Sequence, residues 1–122
     1  MSGEKILLVE DDDVIARVEE WRLKNLGYTV CGRATTGAKA MELVVNAKPD
    51  LVLMDINIKG EVDGIETAKM IKDGFKIPVV YVTSHSDGPT LDRAKATHPD
   101  GFIVKPFDDK DLRVAIQLAL NK

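Results

Sequence analysis

The sequence predicts an α/β fold, a doubly wound parallel sheet with helices on both faces. Three observations predict it. Short apolar, β-branched runs alternate with longer amphipathic ones along the whole chain. The central runs are apolar at both alternating sets of positions, the pattern of strands covered on both sides. Polar and charged residues gather just after those runs, where such sheets place their chemistry at strand carboxyl ends. A chain of 122 residues, 44% hydrophobic and 30% charged, is expected to form one domain over residues 1–122.

The elements follow in order. KILLV (5–9) reads as the first strand, and the amphipathic stretch from Val14 to Leu26 as the first helix, stopped by Gly27. TVCGRA (29–34) is the second strand. Thr36 is a plausible cap for a helix over Gly37 to Ala47. LVLMD (51–55) follows Pro49. A third helix is expected from Gly64 to Lys72, capped by Asp63 and stopped by Gly74. PVVYVT (78–83) is the fourth strand, with Pro78 at its tolerated first position. A weaker helix, Pro89 to Thr97, precedes GFIVK (101–105). The last helix runs from near Asp108 to Asn121, with Leu112, Ala115, Ile116 and Ala119 on one face.

Composition sets limits on partners. The formal net charge is −3, and no basic run offers an electrostatic footprint for nucleic acid. No stretch approaches the ~20 apolar residues that span a bilayer, and no signal peptide opens the chain, so a cytoplasmic location is expected. Cys31 is the only cysteine, so it has no internal disulfide partner and reads as a small core residue.

The strand ends carry the chemistry. Strand one ends in Glu10, Asp11 and Asp12, and strand three in Asp55, followed by Asn57. Strand four ends in Thr83 and Ser84, and strand five in Lys105. Each piece alone has a plain reading: acids at a helix N-terminus, a turn aspartate, an exposed lysine. Together, on parallel neighbouring strands, they form a nest of carboxylates beside one hydroxyl and one ammonium. Crowded carboxylates need a cation, and magnesium takes one or two of them while also binding phosphate oxygens. Asp55 is then the expected nucleophile, since an aspartate can form an acyl phosphate. Thr83 and Lys105 would meet the phosphoryl oxygens.

The stretches LLVEDD, LVLMDINIKG…DG, VVYVTS and GFIVKPF resemble the receiver domain of two-component response regulators, the CheY-like family. The resemblance covers essentially the whole chain. It implies a (βα)5 flavodoxin-like fold with strand order 2-1-3-4-5. It implies Asp55 as phosphoacceptor and a magnesium site, open to manganese, made by Glu10, Asp11, Asp55 and the carbonyl of Asn57. Thr83 and Lys105 are implied to assist transfer, and Thr83 and Phe102 to form the switch. The Lys105–Pro106 bond is cis in many relatives, and Asp12 falls at a position of no fixed chemical role. The implied protein is a signalling phosphoacceptor rather than an enzyme, confined to self-directed phosphotransfer and autodephosphorylation.

Its implied partners are a sensor histidine kinase or a histidine phosphotransfer protein upstream. Downstream they are a protein or an attached output domain, with a phosphorylation-dependent homodimer also compatible. The start MSGEK suggests a stand-alone chain or an N-terminal domain. The sequence departs from the family at Lys59, where proline is usual, in a longer loop before Asp63, and at His85 and Pro99. The enzyme-class alternative is a haloacid-dehalogenase-like phosphatase with Asp11 as nucleophile in a D-x-D pattern. That reading leaves Asp55 unexplained. Trp21 is expected to be in the core or half-buried, while Val114 and Leu118 lie opposite the core stripe of the last helix.

Overall fold

The computed structural model describes residues 3–56, 64–83 and 88–121, with side chains from residue 92 onward in the last segment. The strands are β1 Lys5–Val9, β2 Thr29–Ala34, β3 Leu51–Asp55, β4 Val79–Thr83 and β5 Gly101–Val104. The helices are α1 Asp13–Asn25, α2 Gly37–Ala47, α3 Gly64–Phe75, α4 Gly88–Ala96 and α5 Asp109–Leu120. All pairings are parallel and the sheet order is β2-β1-β3-β4-β5. The winding direction reverses between β1 and β3, so a crevice opens at their carboxyl ends.

Alternation along each strand divides the core. Leu7, Val9, Val52 and Met54 pack with residues of α2 and α3 on one face. Ile6, Leu8, Leu51 and Leu53 pack with Ala16 and Leu23 of α1 and with Leu112 and Ile116 of α5 on the other. β3 and β4 are buried at every position, which accounts for their unbroken apolar runs. Cys31 is half-buried against this core, its Sγ 3.6 Å from the carbonyl of Ile6, and burial raises its thiol pKa. Among the described residues no helix is long and apolar enough to cross a membrane.

Among the described residues, three helices have side-chain caps. Thr36 accepts from the Lys39 amide at 3.2 Å, and Asp108 forms a reciprocal capping box with Asp111. Asp12, which had no expected role, caps α1 by accepting from the amides of Val14 and Ile15 at 2.9 and 3.1 Å. Gly27 takes φ +97°, a conformation an L side chain resists, and so turns the chain from α1 toward β2.

Some expectations need correction. Gly74 does not stop α3, which continues to Phe75; the turn out of the helix comes at Lys76, with φ 58°. A single helical glycine is a tolerable weakness rather than a stop. Pro78 lies just outside β4. Trp21 is 64% exposed, neither core nor half-buried. The buried face of α1 is Ala16, Glu19 and Leu23, which turns Val14, Val18 and Trp21 to the outside. Val114 and Leu118, by contrast, are exposed, in keeping with their place opposite the core stripe of α5.

Candidate functional site

The β1 ladder runs into Glu10, whose amide donates to the Ala34 carbonyl at 2.9 Å. This fixes the direction of the acidic turn that follows. Glu10 is 3% exposed and Asp55 at the end of β3 is 8% exposed, while Asp11 is half-buried and more open than either. One carboxylate oxygen from each of Glu10, Asp11 and Asp55 lies within 4.8 Å of the others. Lys105 comes from the far side. Its amide donates to the Thr83 carbonyl at 2.7 Å, extending β4–β5 pairing, and its bond to Pro106 is cis. The Lys105 ammonium donates to Glu10 Oε1 at 3.0 Å and lies 3.9 Å from Asp55 Oδ2. Thr83, also at a strand end, is buried.

The electrostatics follow from burial. Desolvation, then the Asp55 carboxyl beside it, raises the Glu10 pKa above the usual carboxylate value. Burial by itself would lower the Lys105 ammonium, but the hydrogen bond to Glu10 and the charge of Asp55 outweigh it and raise its pKa. The lysine therefore stays charged. Glu10 and Asp55 face the Lys105 ammonium and Asp11 completes the cluster, so the carboxylates outnumber the ammonium on an all-oxygen donor set. Such a set fits a hard divalent cation.

Of the residues expected at the site, the structure brings together Glu10, Asp11, Asp55 and Lys105, with Thr83 at the neighbouring strand end. Phe102 sits on β5, half-buried, its ring edge-on to buried Tyr81 at 6.2 Å and 73°. Asn57, Ser84, Lys59, Asp63 and His85 lie outside the described residues.

Three residues around the site escaped sequence reasoning. Glu19 is 4% exposed on α1, and desolvation raises its pKa to about 7, against the opposing pull of Lys105. Its signal was available: a charged residue on the same helical face as Ala16 and Leu23. Arg22 donates to the Phe107 carbonyl at 2.7 Å and to Asp109 at 2.7 Å. Nothing local marks it. Gly64 presses on the end of β3: a Cβ there would lie 2.8 Å from the Ile56 carbonyl oxygen and closer still to that of Asp55. The Asp–Gly pair reads as a helix start, yet its glycine is needed for this approach.

A parallel α/β sheet with an acidic cluster and a lysine at its switch point defines the receiver class of signalling protein. The family model described as "Response regulator receiver domain" matches residues 6–117, and the chain belongs to that family. It is similar to the transcriptional regulatory protein PdtaR of Mycobacterium tuberculosis H37Rv, with 35% identity over 118 residues, 97% of this chain and 57% of that protein. It is also similar to the uncharacterized transcriptional regulatory protein YrkP of Bacillus subtilis 168, with 38% identity over 120 residues, 97% of this chain and 50% of that protein. Among solved structures, the signal receiver domain of a modulated diguanylate cyclase from Desulfovibrio desulfuricans G20 superimposes with a TM-score of 0.93 at 33% identity. That match covers 98% of this chain and 95% of the other. The chain spans about half the length of the curated relatives it matches. The phosphatase alternative, with Asp11 as nucleophile, finds no support in these likenesses.

Proposed function

We propose that residues 1–122 form one receiver domain that accepts a phosphoryl group on Asp55. The donor is the phosphohistidine of a sensor kinase or a histidine phosphotransfer protein. A carboxylate oxygen of Asp55 attacks phosphorus, the phosphorus–nitrogen bond breaks, and the donor imidazole keeps the electron pair. Glu10, Asp11, Asp55 and the main-chain carbonyl of Asn57 would hold magnesium, with manganese as a substitute. When bound, the metal neutralises charge on the phosphoryl oxygens. Lys105 supplies a fixed positive charge to the same oxygens, and the Thr83 hydroxyl a hydrogen bond. Later attack by water on phosphorus releases phosphate and restores the carboxylate, so the chemistry is self-directed.

The new group adds about −1.5 to −2 charges and new acceptor oxygens. Thr83 moves toward it, and Phe102 turns into the space vacated. The face of α4, β5 and α5 then presents a different surface to a downstream protein or an attached output domain. Two relatives are named transcriptional regulators and are about twice as long, which supports an output beyond this domain.

One observation carries this reading: the approach of Glu10, Asp11 and Asp55 oxygens within 4.8 Å, with Lys105 in reach. The test is intact mass after incubation with acetyl phosphate and magnesium. Wild type is expected to gain one phosphoryl group; Asp55→Asn and chelator-treated protein are expected to gain none. An unmodified wild type, or a labelled Asp55→Asn, would overturn the assignment.

A further inference from the structure

The segment between β5 and α5 must aim Lys105, yet it has little secondary structure of its own. Its first residue is tied to β4 through the Lys105 amide, and Asp108 caps α5. Between them, Pro106 has no amide to donate. What holds this stretch comes from α1. Arg22 Nη2 donates to the Phe107 carbonyl at 2.7 Å, and Nε donates to Asp109 Oδ1 at 2.7 Å. The guanidinium also lies over the Phe107 ring, 4.5 Å from its centroid. One side chain thus grips the carbonyl and ring of Phe107 and the carboxylate of Asp109, two positions further on. The arginine side chain is 18% exposed and Asp109 57%, so the carbonyl and ring contacts lie on the sheltered side.

We propose that Arg22 is a positioning residue for phosphoryl transfer, clamping the Lys105-bearing segment to α1 so that the ammonium stays aimed at Asp55. The proposal rests on the reading of Lys105 given above. Only a guanidinium can donate from two edges and stack through its plane; lysine keeps the charge but not the fork. The ammonium already lies 3.9 Å from Asp55 Oδ2. Small displacements of a group at that range weaken transfer strongly.

The experiment is the rate of labelling by acetyl phosphate, a small donor that needs no docking surface. The proteins are wild type, Arg22→Lys, Arg22→Gln, Lys105→Ala, Arg22→Lys/Lys105→Ala and Asp109→Asn, each checked for cooperative melting. Arg22→Lys and Arg22→Gln are expected to slow labelling by roughly 3- to 30-fold, and the Arg22→Lys effect to shrink below about twofold when Lys105 is absent. Asp109→Asn, at the exposed rim, is expected to slow it less, and it decides the matter if the Arg22 variants do not fold. Equal slowing with and without Lys105 would overturn the proposal, as would wild-type rates in the variants that fold. A Lys105→Ala protein that labels normally would instead overturn the role of Lys105, and the clamp with it.

Discussion

Glu19 is a carboxylate in a place that a helix packed on a sheet ordinarily fills with an apolar side chain. Desolvation raises its pKa from 4.5 to about 7, with the Glu10 and Asp55 charges adding to it and Lys105 and Arg22 opposing. A raised acid pKa means the folded state holds the proton more tightly than the unfolded chain. Stability linked to this group is therefore greatest below pH 4.5 and is lost as pH rises to about 7. Glu19→Gln removes that loss. In metal-free buffer, denaturant unfolding is expected to show the variant gaining on wild type between those two pH values, by at most about 3 kcal/mol. A stability difference that does not change with pH would show that Glu19 titrates normally.

At the scale of the element, the run Glu10 to Asp13 separates into four environments. Glu10 bonds Lys105, Asp11 joins the carboxylate cluster, Asp12 caps α1, and Asp13 pairs at the surface with Arg17 at 3.0 Å and Arg33 at 3.5 Å. Helix geometry divides them, since the chain turns from strand to helix within that run. Asp12→Ala is expected to destabilise the fold by about 1 kcal/mol, the usual worth of an N-cap, while leaving Asp55 able to be labelled. Urea unfolding and intact mass on the same sample check both halves. The same helix explains the misplacement of Trp21. Val14, Val18 and Trp21 repeat at helical spacing and imitate a buried stripe, while the true inner face contains a glutamate. Periodicity alone points to the wrong side here, because hydrophobicity was exchanged for charge at one position near the site.

At the scale of the whole molecule, β4 and β5 link the proposed acceptor, Asp55, to the proposed output face. Tyr81 pairs in register with Phe102, and Thr83 with Val104, so a shift at the carboxyl end of β4 bears on Phe102, the proposed switch aromatic, one strand away. Thr83→Ala is expected to accept the phosphoryl group at Asp55 but to lose the phosphorylation-dependent change in amide exchange across α4, β5 and α5. Hydrogen exchange of labelled and unlabelled protein reads this directly. A normal change in that variant would exclude the Thr83–Phe102 route.

The strands, the alternation with helices and the convergence of Asp55, Asp11, Glu10 and Lys105 at the strand ends were all legible in the chain, because buried parallel strands write continuous apolar runs and end in polar residues. The local cap at Thr36 was legible because its partner lies only three residues away. The grip of Arg22 on residues 85 and 87 positions away was not, and neither was the closeness of Gly64 to the carbonyl of Asp55. Those depend on how helices settle on a twisted sheet. Packing of that kind decides which distant atoms touch, and no one-dimensional period records it.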